Sequence, residues 1–378
     1  MLVWPFVSDL GSEQIGEIAD LFAIEGTFVE AEEIETGLIN ATWLASFRNE
    51  RGERVRYVLQ RINEVVFGDP LDVMANVRTV TQHINQKVLR VKKDSSGQTL
   101  SLYPGRTGKS HVKGPGGGIW RCYNFIEGSR TYDVVENTRQ AYQAGLAFGA
   151  FQDLVSDLSP EELVEVIPDF HHTPKRYQQL LDAVQEDRVG RVKEVSDELE
   201  RIESMSGEID RIVKLAETGE LPLRVTHNDT KINNVLFDIA SDEAVCVIDL
   251  DTVMPGLSLY DIGDLIRTSI NPAEEDEADL SKVFMRMPIF EALVEGYLES
   301  AREVLNEIEI GLLPFAGKLL ALELSMRFLA DYLNGDSYFR VKHPLQNLHR
   351  TRTQLKLAEE VGKSEEAMCA YVKKVARG

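Results

Sequence analysis

Two short polar clusters constrain this chain more than any other feature. The first reads His227-Asn228-Asp229-Thr230-Lys231-Ile232-Asn233-Asn234 and runs into Val235-Leu236-Phe237. The second reads Val245-Cys246-Val247-Ile248-Asp249-Leu250-Asp251. An Asn follows the first Asp at a distance of five residues, and an apolar run then ends in a second Asp. A strand ending at Asp249 would hold its carboxylate rigidly at the edge of a cleft.

These residue types at this spacing suit phosphoryl transfer. The Asp229 carboxylate can align a hydroxyl and accept its proton, which requires contact at about 2.6–3.2 Å. The amide oxygen of Asn234 and the carboxylate of Asp249 suit magnesium, a hard cation that keeps water and phosphate oxygens in its shell. Taken singly, Asp229 reads as a solvated loop residue and Asp249 as a cap; their joint spacing with Asn234 carries the catalytic reading. Asp251 stays open between second metal ligand, substrate contact and turn residue. Lys231 either brings a cation to the transferred phosphate or pairs with a surface acid. His227 has no second His or Cys at ligand spacing, so its ring is expected to bond backbone near the loop. Asp261 and Asp264 fall three apart at a helix start, where acids favour the N-terminus. They read as scaffold, with Asp261 also able to tie that helix to the loop.

The charge balance narrows the partners. Forty-one Lys and Arg against 62 Asp and Glu give a formal net charge of -21, which argues against broad binding to nucleic acid or an anionic membrane. A local cationic pocket for ATP remains compatible with it. Cys122, Cys246 and Cys369 are few, odd in number and far apart, so neither a disulfide framework nor a zinc site is expected. Residues 1–10 lack the pattern of a signal peptide, and no run of 18 apolar residues occurs. A cytoplasmic setting is expected.

Along the chain, 12–22 reads as a short helix with Ile15, Ile18, Leu21 and Phe22 on one side. Strands are expected at 38–47 and 55–61, with a turn at 48–53. Asp69-Pro70 opens a helix, the Asp as cap and the Pro at the first position. Further strands are expected at 99–103 and 118–125. Between them, Gly108-Lys109-Ser110 is not a phosphate-binding P-loop, because Tyr103 stands where the first Gly belongs and Gly114 to Gly118 would break the helix that must follow. A mobile hairpin loop is expected instead. The stretch 142–154 reads as helix, 176–215 as two helices, and 316–333 as a buried helix. Irregular heptads in 176–215 leave a coiled coil as the weaker reading. The pattern predicts an α+β, two-lobed chain, with residues 1–127 β-rich and 128–378 mainly helical. A nucleotide would lie in the crevice between them.

At this point the residues resemble a known group, the aminoglycoside phosphotransferase and choline kinase superfamily. Within it they are most similar to the N-acetylhexosamine 1-kinases. The similarity spreads over Gly37-Leu38-Ile39-Asn40-Ala41-Thr42, Tyr57-Val58-Leu59-Gln60-Arg61-Ile62-Asn63, Phe67-Gly68-Asp69-Pro70, Ile167-Pro168-Asp169-Phe170-His171, Asp249-Leu250-Asp251-Thr252-Val253-Met254-Pro255-Gly256, and Arg327 through Asp336. The resemblance implies a protein-kinase-like fold, ATP and Mg2+, and transfer of phosphate to the anomeric hydroxyl of a free N-acetylated hexose. It makes Asp229 the catalytic base, Asp249 the principal metal ligand with Asn234, and Arg327 and Tyr338 sugar contacts. Adenine is expected at Asn124, Phe125 and Ile126 through backbone hydrogen bonds. Two departures stand out. Leu38 and Ala41 replace a His and an Asp that relatives commonly carry. The phosphate-gripping kinase Lys is also absent: Gln60 takes its place, and Arg61 is expected to supply the charge if strand alternation permits. The alternatives are a kinase for another small hydroxyl acceptor (another sugar, a choline-like amine, an aminoglycoside or homoserine) and a silent nucleotide- or metabolite-binding protein. A monomer or weak homodimer is expected.

Overall fold

The computed structural model describes residues 10–34, 39–64, 66–91 and 99–377. In the first lobe, helix α1 (Ser12–Ala19) precedes strands β1 (Thr27–Glu33), β2 (Ala41–Arg48) and β3 (Arg54–Arg61). Helix α2 (Pro70–Val91), β4 (Val112–Lys113) and β5 (Ile119–Asn124) follow. The strands form one antiparallel sheet in the order β1-β2-β3-β5-β4. Local chemistry sets the hairpin between β2 and β3. Asn49 Oδ1 accepts the N–H groups of Arg51 and Glu53, and Gly52 takes a φ of 80°, a conformation open to Gly at no steric cost.

Alternation assigns the two faces of this sheet. Trp43, Phe47, Leu59, Trp120 and Cys122 pack with Ile15, Ile18 and Phe22 of the α1 region. Val58 and Tyr123 face α2, through Val73, Met74 and Val77, and the second lobe, through Leu250 and Val253. Direct pairing of Thr42 with Gln60, and of Gln60 with Arg121, sets three polar residues in a row on this second face. Asp69 caps α2 by accepting the Leu71 N–H at 2.8 Å.

In this lobe the expected elements recur with three differences. Strand β1 was not anticipated: Glu30, Glu32 and Glu33 fill an exposed edge, where half-burial leaves no clear alternation. The expected strand at 99–103 makes only a bridge from Leu102 to Tyr123, flanked by hydrogen bonds from Tyr103 N to Cys122 O and from Asn124 N to Ser101 O. The loop expected to be mobile is pinned to the end of α1, where Arg106 donates from N to Leu21 O and from Nε to Asp20 O. No helix follows Lys109, which agrees with rejecting a P-loop.

The second lobe contains β6 (Ser129–Arg130), α3 (Thr138–Leu154), α4 (Thr173–Glu186), α5 (Ser196–Met205), α6 (Arg211–Glu217), β7 (Arg224–Thr226), β8 (Val235–Asp238), β9 (Ala244–Val247) and β10 (Met254–Gly256). It continues with α7 (Ser258–Ile270), α8 (Met287–Ala301), α9 (Glu307–Gly311), α10 (Leu313–Leu333) and α11 (Gln346–Val375). Strands β6, β8 and β9 form one small sheet, and β7 pairs with β10. Three helices stand where 176–215 predicted two. Asp187 at φ 39° ends α4, and the 3₁₀ turn Ser206–Glu208 separates α5 from α6. Helix α10 is buried nearly all round and centres the core. Helices α3 and α8 cross on glycines: a Cβ on Gly145 would stand 2.1 Å from Leu293 O, and one on Gly296 would stand 2.0 Å from Tyr142 O. That close crossing seats Phe148 and Phe151 of α3 against the His227 ring.

Candidate active site

The loop after β7 is fixed by its backbone. Asp261, near the start of α7, accepts the N–H of His227 at 2.8 Å and of Asn228 at 2.7 Å. Thr230 donates its hydroxyl to the Asp261 carbonyl. Asn228 adopts a φ of 63°, and its amide donates to Thr226 O and Thr252 O. Gly256 lies so close that a Cβ would meet Thr226 Oγ1 at 2.2 Å. The His227 ring accepts the Asp229 N–H at Nδ1 and so donates from Nε2 to Ile248 O at 3.0 Å. Its ring therefore bonds backbone on both sides, the structural place expected from the sequence.

This frame brings the sequence-predicted donors together. Lys231 Nζ stands 3.1 Å from Asp229 Oδ2, so the lysine pairs within the site rather than with a surface acid. Asn234 donates its Nδ2 to Asp229 O at 2.8 Å and to Asp229 Oδ2 at 3.1 Å. Its Oδ1 accepts no hydrogen bond among the described residues. Burial pushes the Asp229 carboxyl up, but Lys231, His227 and Asn234 outweigh it and hold the group below the usual carboxylate range. The carboxylate is thus anionic at neutral pH and oriented as an acceptor. The two clusters are joined where Ile248 N donates to Asn234 O at 2.9 Å.

Asp249 follows β9 in a left-handed conformation, φ 61° and ψ 63°. It stands at the start of a 3₁₀ turn but makes no side-chain capping bond there. Its carboxylate accepts no hydrogen bond among the described residues. Desolvation by the surrounding protein, with Asp251 and Asp229 nearby, pushes its carboxyl up to about 7, although the residue keeps an exposed edge. A carboxylate crowded by two others and an outward amide oxygen fit a magnesium ion, which would relieve that repulsion while taking its other oxygens from water and phosphate. The described residues hold no group of three or more His, Cys, Asp or Glu suited to a metal, so a site here rests on the Asn234–Asp249 pair.

Other predicted residues stand in separate places. Asp251 is buried; one oxygen pairs with Arg121, and the other accepts Asn40 Nδ2 at 2.5 Å. The structure therefore sets it as a link between the lobes rather than open to a substrate. Gln60 is also engaged at both ends, accepting from Arg121 and donating to Thr42 Oγ1 at 3.1 Å. Arg61 lies on the opposite face of β3 beside Gly118, where a Cβ would stand 2.6 Å from its Nε. At the lobe connection, Asn124 binds Thr99 and Ser101, and the Phe125 N–H is donated to Arg56 O. Of the three residues expected at the adenine site, Ile126 is the one whose N–H has no partner among the described residues. Leu38 lies outside the described residues, and Ala41 begins β2.

Elsewhere in the second lobe, on α10, the Arg327 guanidinium lies over the Phe170 ring at 5.0 Å and the Phe339 ring at 5.7 Å. It makes no hydrogen bond among the described residues. Tyr338 packs its ring edge-on to Phe339 at 4.8 Å and is 57% exposed. Its loop is held by Asp331, which accepts the N–H groups of Ser337, Tyr338 and Phe339. Arg327 and Tyr338 are thus brought to one wall. Sequence reasoning gave no role to His171, which joins this wall to the loop: Nδ1 lies 2.8 Å from Glu323 Oε1, and Nε2 lies 3.2 Å from Asn228 O. Arg121 was also missed. Its signal was a single Arg in the apolar strand Ile119-Trp120-Arg121-Cys122-Tyr123, directly across from Gln60.

A β-rich lobe and a helical lobe, meeting at an anchored His-x-Asp loop and a strand-end Asp, define a two-lobed kinase-like phosphotransferase fold. The model of the phosphotransferase enzyme family matches residues 30–300, and the chain belongs to that family. Among solved structures it is similar to a microcompartment-associated aminopropanol kinase, at 16% identity and TM-score 0.62, covering 94% of this chain and 97% of that one. An aminoglycoside phosphotransferase from Alicyclobacillus acidocaldarius matches at 12% identity and TM-score 0.60, covering 95% of each. A spectinomycin phosphotransferase bound to ADP and spectinomycin matches at 12% identity and TM-score 0.57, covering 95% and 99%. These likenesses show the fold. No helix among the described residues is long and apolar enough to cross a membrane.

Proposed function

We propose that the protein is an ATP-dependent kinase that phosphorylates a hydroxyl of a small-molecule acceptor, with the anomeric hydroxyl of a free N-acetylhexosamine as the favoured target. The observation that carries the kinase reading is the Asp229 carboxylate held between Lys231 and Asn234, beside an Asp249 that accepts no hydrogen bond from the described residues. Asp229 orients the acceptor hydroxyl and takes its proton as the oxygen–phosphorus bond forms. Lys231 balances charge near the transferred group. Asn234 and Asp249 would hold magnesium, which supplies charge neutralisation at the phosphates when bound. The Ile126 N–H is available to an adenine acceptor atom at the lobe connection.

The sugar reading rests on the resemblance and on the wall that carries Arg327 and Tyr338. The Arg327 guanidinium makes no hydrogen bond among the described residues, and Tyr338 offers an exposed ring; together they suit the polar edge and the face of a sugar. A quaternary ammonium would favour several aromatic walls without a cation among them. The test couples ADP formation from Mg-ATP to a panel of hexoses, N-acetylhexosamines, choline, homoserine and aminoglycosides, with phosphorus NMR of the product. Turnover on N-acetylglucosamine or N-acetylgalactosamine with an anomeric phosphate supports the full reading. Turnover confined to another panel member overturns the sugar assignment, and absence of turnover on every member counts against the kinase.

A further inference from the structure

The kinase reading leaves a question of charge. The strand position that carries a phosphate-gripping lysine in kinases holds Gln60 here, and the neighbouring Arg61 lies on the other face of the sheet. A cation does stand on the correct face, one strand across. Arg121 of β5 is 1% exposed and pairs in register with Gln60. Its Nε and Nη2 donate to Gln60 Oε1 at 2.9 and 2.8 Å, and its Nη1 pairs with Asp251 Oδ1. The second Asp251 oxygen accepts Asn40 Nδ2, and Asn40 Oδ1 accepts the Asn63 N–H at 3.0 Å. One buried carboxylate of the second lobe is therefore clasped by two elements of the first.

We propose that Arg121 is a positioning residue of the metal site: by clasping Asp251 it ties the lobes together and leaves Asp249 as the carboxylate free for magnesium. The inference rests on the kinase reading. Its logic is electrostatic. Asp249 and Asp251 are two residues apart at the same strand end, and two unpaired carboxylates there would repel each other and compete for one cation. The Arg121 charge cancels that of Asp251, and the planar fork holds its oxygen away from the open side. Burial works against the guanidinium's charge, yet Asp251, Tyr123 and Asp249 more than offset it. Gln60 gains a role in place of the missing lysine, since its amide fixes the guanidinium plane and is fixed in turn by Thr42. A lysine at position 121 could not reach Gln60 and Asp251 with the same fork.

The test is calorimetric titration of the full chain with ADP plus MgCl2, and separately with adenosine, for wild type, R121K, R121M and R121M/D251N. Supporting groups behind a metal ligand are worth about 10–100-fold in metal affinity. R121K is therefore expected to weaken Mg-ADP binding within that range and to leave adenosine within about twofold of wild type. R121M leaves a buried Asp251 unpaired and is expected to melt lower; the double variant should recover part of that loss, and R121K decides where R121M does not fold. Mg-ADP binding by R121K as tight as wild type overturns the inference while the kinase reading stands. Equal weakening of Mg-ADP and adenosine also overturns it, since that marks a general structural role. A wild type that binds neither ligand overturns the inference and the kinase reading together.

Discussion

On one wall of the second lobe, Asp261 accepts two backbone N–H groups of the loop that carries Asp229, and His227 bonds backbone with both ring nitrogens. On another wall of the same lobe, Arg327 makes no hydrogen bond among the described residues, and Tyr338 is more than half exposed. The first side is held by bonds made before any ligand arrives. The second is held only at its base, by Asp331 under the Tyr338 loop and by the Phe170 and Phe339 rings around Arg327. A reaction common to many acceptors needs a rigid transfer apparatus, because misplacement of reacting groups is costly in rate. Recognition of one acceptor needs polar groups left free to bind it, and under the proposed function those groups are Arg327 and Tyr338.

Variants that strip each side should therefore differ in kind. The largest effect is expected from Asp261→Ala, which leaves the buried N–H groups of His227 and Asn228 without acceptors. At about 1–3 kcal/mol for each unsatisfied group, denaturant unfolding should show a loss of about 2–6 kcal/mol. Unfolding unchanged from wild type would show that the loop does not depend on this anchor. Next, Asp249→Ala should lower Mg-ADP affinity by more than the roughly 10–100-fold that loss of a supporting group costs, read by titration with and without Mg2+. A metal-dependent affinity equal to wild type would place the cation elsewhere.

A smaller and more selective change is expected from Arg327→Met. Loss of a charged hydrogen bond to the acceptor, about 1.5–3 kcal/mol, should raise the acceptor KM roughly tenfold or more and leave the Mg-ATP KM unchanged. Equal changes in both constants would erase the division between the walls. The smallest effect concerns pH. The Asp249 carboxyl is pushed from 3.8 up to about 7, so the folded protein without ligand holds a proton that the unfolded chain has released. This contribution is fully present below about pH 4 and is lost as pH rises through about 7. Because Asp249 keeps an exposed edge, solvent screens most of this shift, and Asp249→Asn should melt higher than wild type at pH 8 by only on the order of 1–2 °C, with the gap narrowing toward pH 4. With saturating Mg-ADP the order should reverse. A gap that widens on acidification would contradict the crowding assigned to Asp249.

The difference between the walls also explains what the sequence disclosed. Asp229, Asn234 and Asp249 were legible because a loop and a strand end need fixed spacing, and spacing is written along the chain. The two-lobed division was legible because strand alternation in the first third gives way to helical periodicity in the rest. Arg121 was not, since its meaning depends on strand register, which sets it beside Gln60 and across from Asp251. Arg61 misled for the same reason: alternation turned its side chain to the other face. His171 and Glu323 meet from positions 152 residues apart, and neither carries a local sign of the other. Strand β1 was obscured by its glutamates, which suit an exposed edge and hide the period of two.

The central claim is that the anchored loop performs phosphoryl transfer through Asp229. It is tested most directly by acceptor-dependent ADP formation in wild type and Asp229→Asn, side by side, with Mg-ADP affinity measured on both. The amide keeps the shape and removes the proton acceptor. The account predicts turnover lowered by about 10²–10⁴-fold and Mg-ADP affinity within about threefold of wild type, because Asn234 and Asp249 are untouched. Turnover of Asp229→Asn close to wild type on the same acceptor would contradict it.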